Sequence, residues 1–144
     1  MNRELIFSTL FSRLQAIAGI TTTSRRWKPV KDVSQADQPA LFLIPIRETV
    51  DGPIGRPRVF TIDADVCIYA HTRGDNTIPA ATILNPLIDA VVAAFVPDNP
   101  MSGRMTLGGL VEHCWIEGQI ETDEGYFGDQ GVVILPVRIK VTSQ

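Results

Sequence analysis

Residues that carry chemistry are scarce in this chain. It has two cysteines, Cys67 and Cys114, which fall in different predicted strands with no CxxC or Cys/His ligand spacing. They read as free buried thiols rather than as a disulfide or metal site. The two histidines, His71 and His113, have no serine in a G-x-S-x-G elbow to activate. His113 stands beside Cys114, but adjacent strand residues point to opposite faces, so the two side chains do not meet as a nucleophile pair. The glycine pair in residues 106–110 has neither the GxGxxG pattern nor a P-loop lysine, which excludes a phosphate cradle. The longest apolar runs, AVVAAFV and ALFLIPI, are well short of a bilayer span, and no membrane segment or signal peptide is expected. Lys and Arg total 13 against 16 Asp and Glu, a net charge of −3, so nothing draws the whole chain to nucleic acid or an anionic membrane. No cofactor or metal site is expected.

What is present describes a folded domain. Apolar residues make up 44% and charged residues 20% of 144 residues. A chain this long buries roughly 70% of its unfolded surface without staples, and one domain is expected. Residues 2–18 carry Ile6, Phe7, Leu10, Phe11, Leu14 and Ile17 at helical spacing, with Asn2 as N-cap and Gly19 as the stop. Residues 21–28 read as a solvated connector, with Trp27 packed on the core edge among Arg25, Arg26 and Lys28. An aromatic and basic nucleic-acid patch needs a wider basic face than this acidic chain offers. Pro39 and Pro45 bracket a strand at 40–44, which suits an edge or a bulge. A long loop over 49–57 leads to a strand at 60–70, whose Phe60, Ile62, Ala64, Val66, Ile68 and Ala70 alternate with Thr61, Asp63, Asp65, Cys67 and Tyr69. A helix is expected over 77–95, kinked at Pro86, which lacks the N–H for the helical ladder. Residues 105–107 are a candidate for a short extra strand.

The C-terminal part is the most informative. In residues 133–141, Val133, Leu135, Val137, Ile139 and Val141 face one way and Ile134, Pro136, Arg138 and Lys140 the other. Before it, Cys114, Ile116, Gly118 and Ile120 oppose His113, Trp115, Glu117, Gln119 and Glu121 along another strand. Residues 122–130 read as a loop too long and too aromatic for a two-residue hairpin turn. The expected fold is a single α+β domain, an antiparallel β-sheet with two helices on one face, in the order αββαββ.

Three pieces in order, a helix followed by "DQPALFLIP", then "ILNPLIDAVVAAF", then "TLGGLVEHCWIEGQI" with "GVVILPVRIKV", make the chain resemble the tail terminator (tail completion) proteins of long-tailed bacteriophages. The resemblance implies a homo-hexameric ring that caps the tail tube, ends its polymerisation and offers the surface joined by a head-side neck protein. Partners would be the ring's own copies, the tube protein and the neck. DNA would pass through without specific binding, and no enzyme activity or membrane partner is implied. The virion tail would be its place, after assembly in the host cytoplasm. A ring needs two different patches in contact. The oppositely charged candidates are Arg47, Arg56 and Arg58 on one loop and Asp123, Glu124 and Asp129, with Tyr126 and Phe127, on another. Two unrelated solvated loops are the alternative. Asp63 and Asp65, on one strand face, are read as exposed carboxylates and as candidates to line the lumen. Two other readings stay open. One is another neck or head–tail adaptor protein; the other is a small α+β enzyme or ligand-binding domain with a pocket around Asp63 and Asp65.

Overall fold

The computed structural model describes every residue except Asn76 and Gln144, together with all side chains but those of Gly125, Tyr126 and Phe127. Helix α1 spans Arg3–Gln15, and the Asn2 side chain caps it by accepting the Leu5 N–H at 3.0 Å. Its stripe of Ile6, Phe7, Leu10 and Leu14 is buried. The helix ends short of Gly19: the Ile17 N–H bonds Leu14 O at 3.2 Å, a tightened last turn that closes the helix without a glycine cap. The predicted connector then holds a strand, β1 (Thr22–Ser24), parallel to the start of β2 (Ala40–Asp51), with Thr22 beside Ala40. Three polar residues carry no alternation to betray a strand. Trp27 is 50% exposed.

β2 and β3 (Val59–His71) form a longer hairpin than the sequence indicates, paired out to Asp51 and Val59. The loop expected over 49–57 shrinks to 52–58. The register shifts between Pro45 and Arg47, which places the expected irregularity at Pro45 and lets pairing resume beyond it. Helix α2 spans Ala80–Ala94, starting later than the pattern suggests, with Pro86 inside it on the exposed side. Residues 105–107 are not a strand. Met105 and Leu107 are buried and Leu107 has φ +52, a turn conformation.

The C-terminal region departs most from expectation. The long strand before residue 122 is interrupted: β4 (His113–Ile116) pairs with the second half of β6 (Gln130–Thr142), and β5 (Glu121–Phe127) pairs with the first half along the same edge. Between them the chain crosses Pro136 closely. Gly118 has φ +116, and a Cβ there would lie 3.2 Å from Pro136 Cγ, so glycine is the residue this crossing accommodates. The loop expected over 122–130 is therefore strand β5 and a turn at Gly128–Asp129, with Phe127 opposite Gln130. A bulge between Glu124 and Phe127 hides the alternation that would have announced it.

The sheet order is β1-β2-β3-β6-β4, with β5 also on β6. Apart from parallel β1, every pairing is antiparallel, and both helices cover one face, as expected. That core joins Leu10, Leu14, Leu84 and Val91 to Ile62, Val66, Ile68, Leu135 and Ile139. On the other face a second cluster of Val33, Ala40, Phe42, Cys67 and Tyr69 covers one end, so Cys67 is the buried free thiol expected, and Tyr69 is buried although the alternation turns it away from the main core. The segment bearing Val33 is held by Tyr69, whose hydroxyl donates to Lys28 O at 2.8 Å, and by a buried amide pair. Gln38 Nε2 donates to Gln130 Oε1 at 2.9 Å, and Gln130 Nε2 returns a bond to Gln38 Oε1 at 2.8 Å. Contacts to Val33 O and Ala70 O complete the amides, leaving no buried donor to lose to desolvation.

Candidate functional site

Beyond that cover, the second face of the sheet is open and carries a row of charges set by strand register. Arg47, Asp63 and Arg138 stand side by side on β2, β3 and β6. Arg47 Nε donates to Asp63 Oδ2 at 2.7 Å, Arg138 Nε to Asp63 Oδ1 at 2.9 Å, and Arg138 Nη1 to Glu117 at 2.5 Å. The Asp63 side chain is only 18% exposed, so it is not the wet carboxylate the alternation implies. Burial works to raise its carboxyl, but the hydrogen bonds from Arg138 and Arg47 outweigh it and hold the group below the usual range. Asp63 is thus a neutralised centre, unsuited to acid–base work.

Asp65, two residues along, has the opposite surroundings. Its cross-strand neighbours are Ile44 and Pro136, neither of which offers a side-chain donor. Burial first, then the charges of Glu121 and Asp63, push its carboxyl up. Asp65 and Glu121 line an open groove of about 410 Å³, walled by Ile46, Ile134 and Pro136, with Gly118 on its rim. Neither carboxylate has a cationic partner among the described residues.

The predicted charged loops are only partly what they were read to be. Arg56 and Arg58 are exposed on the β2–β3 connection, but Arg47 belongs to the strand and is engaged by Asp63. The acidic set divides between the two faces of the sheet. Asp123 lies opposite Val132 and so shares the open face with Glu121, whereas Glu124 and Asp129 line a depression beside Thr72, Asp75 and Ala80 at the start of α2. The Tyr126 and Phe127 side chains lie outside the described residues. Because Val59 pairs with Thr142 and His71 with Gln130, the arginines and the β5–β6 turn sit at opposite ends of the sheet. Sequence reading missed Glu117, Glu121 and Arg138 as members of this surface, since only register brings them beside Asp63 and Asp65.

The remaining reactive side chains are in structural use. Burial pushes the Cys114 thiol up to about 12 and, with Asp65 adding to it, the Cys67 thiol to about 11, far from a thiolate nucleophile. His113 Nδ1 accepts the Met105 N–H at 3.3 Å while its ring stacks on Trp115 at 4.5 Å and 13°. His71 Nδ1 accepts the Arg73 N–H at 2.8 Å. Among the described residues no three His, Cys, Asp or Glu side chains gather as a metal-ligand set, and no helix is long and apolar enough to cross a membrane.

No protein-family model matches the chain, and no curated protein matches it in sequence. Among solved structures, a chain of the virion of native gene transfer agent (GTA) particle is similar, with a TM-score of 0.53 at 17% identity, over 94% of this chain and 93% of that one. At that identity the likeness shows a common fold across essentially the full length of both chains.

Proposed function

We propose that this chain is a structural component of a phage-like virion, and more closely a tail terminator that forms a hexameric ring on the end of the tail tube, stops its polymerisation and presents the joining surface to the neck. The observation that carries the reading is the full-length likeness in fold to a chain of a gene transfer agent virion, together with the order of the three sequence pieces that resemble tail terminators. The surfaces support it. The cysteines are buried and the histidines hydrogen-bonded to backbone, while an open sheet face and an exposed cationic loop at one end are free for protein contacts. Opposite charges at opposite ends of the sheet suit head-to-tail association, in which one patch meets a different patch on the next copy and a closing rotation makes a ring. The partners are then further copies of the chain, the tube protein and a head-side neck protein, at the head-proximal end of the tail.

The test is removal of the protein from an assembling particle, followed by electron microscopy. Unjoined heads and tails of irregular or excessive length are expected. Normal-length tails that lack only the head connection would point to a head-side adaptor, and joined particles with normal tails would rule out both roles.

A further inference from the structure

We propose that copies of this chain associate by inserting the tip of the β2–β3 hairpin of one copy into the open-face groove at Asp65 and Glu121 of the next. The tip and the groove match in two independent respects. The tip carries Ile54, 92% exposed, flanked by the exposed Arg56 and Arg58, which have no ion-pair partner among the described residues. The groove has an apolar wall at Ile134 and Pro136 and two carboxylates without a cation, one of them half-buried on the strand floor. An isoleucine on the apolar wall and an arginine against the carboxylates would satisfy both surfaces. A charge-assisted bond from a guanidinium is also the natural partner for a carboxylate held away from water.

The tip does not reach its own groove. Arg58 and Asp65 are seven residues apart along one strand direction, about 23 Å at the rise of a β-strand, so the contact is between copies. Strand addition along the free edge of β2 is the weaker alternative. That edge carries Pro45, a register shift and the charges of Arg47, Glu48 and Asp51, features that discourage edge pairing. The inserted contact is heterologous, as a ring requires, and it rests on the ring reading above. It also narrows the charge pairing: the arginines meet Asp65 and Glu121 rather than Glu124 and Asp129, which lie toward the helix side.

Cysteine cross-linking tests it in the full-length protein, since the native Cys67 and Cys114 are buried. Ile54→Cys with Glu121→Cys should give a ladder of covalent multimers under mild oxidation, while neither single variant gives more than dimers. In parallel, Arg56→Glu with Arg58→Glu should weaken association by about tenfold or more, and adding Glu121→Lys should recover part of the loss. Native mass of the unmodified protein reads the ring separately. Multimers in solution with no ladder and no effect of the arginine variants would overturn the hairpin contact and leave the ring standing. A ladder together with tails of normal length in particles lacking the protein would uphold the contact and overturn the tail-terminator reading. A protein that remains monomeric at every concentration measured overturns the contact.

Discussion

Asp98 shows how much one side chain can organise where the backbone is irregular. Its carboxylate accepts the Thr106 N–H at 2.5 Å, the Thr106 hydroxyl at 2.9 Å and the Gly108 N–H at 3.1 Å, and it takes Arg13 of α1 at 3.0 Å. It thereby fastens the connection after α2, with its buried Met105 and Leu107, to the first helix. Burial works to raise its carboxyl, but the backbone bonds from Thr106 and Gly108, with the Thr106 hydroxyl and Arg13, bring it down to about 2. A depressed carboxyl stabilises the fold at pH values above its unfolded value of about 4, and that contribution is lost as the pH falls through 4 toward about 2. Asp98→Ala is expected to cost about 1–3 kcal/mol near neutral pH, because it removes charge-assisted hydrogen bonds to Thr106 and Gly108. Urea unfolding at a series of pH values should show the gap to the unmodified protein closing across that acid window. A gap that does not change with pH would mean the carboxylate's charge is not what holds the connection. Asp65 works in the opposite direction: its raised carboxyl disfavours the folded state above its own titration, a cost relieved on protonation or by a cationic partner.

At the scale of elements, the helices depend on how closely they approach the sheet. At Gly131 on β6 the helix α2 lies close: a Cβ there would lie 2.8 Å from Ala80 Cβ and 2.8 Å from Leu84 Cδ1. Ala80 cannot swing aside, so Gly131→Ala should push the helix N-terminus off the sheet and cost about 1–3 kcal/mol by overpacking. A lowered urea midpoint with an unchanged slope is the expected result; an unchanged midpoint would mean that α2 settles outward freely. Legibility also divides by element. β3 and β6 announce themselves because the helices pack on one of their faces, so core residues recur at every second position. β1 is three polar residues, and β5 contains a bulge, so neither shows a period, and both exist because a neighbouring strand supplies the ladder.

For the whole molecule, the balance of charge sets what the open face can meet. The net charge is −3, and the arginines of the open face, Arg47 and Arg138, are already matched by Asp63 and Glu117. Among the described residues the open face therefore offers no extended basic track for phosphates. Titration of labelled duplex DNA into the purified protein should show no binding at physiological salt. Tight binding that weakens steeply with salt would contradict a ring through which DNA passes unheld. Asp65→Lys combined with Glu121→Lys should gain duplex binding in the assembled ring only if this face borders the lumen. If the groove is filled by a neighbouring hairpin, those positions are covered and assembly fails instead.

The α+β class, both helices, the two long central strands and the face each turns to the core were decided by residues near one another in the chain, since the periods of 3.6 and 2 are local properties of the backbone. The pairing of Asp63 with Arg47 and Arg138, the isolation of Asp65 between Ile44 and Pro136, and the division of the acidic residues between two faces were decided only in the tertiary structure. Register joins residues as far apart as 47, 63 and 138, and no local pattern encodes it. The same carboxylate spacing on one strand therefore yields a neutralised ion-pair centre at Asp63 and an unpaired acid at Asp65, because cross-strand neighbours, not sequence neighbours, set the environment of each.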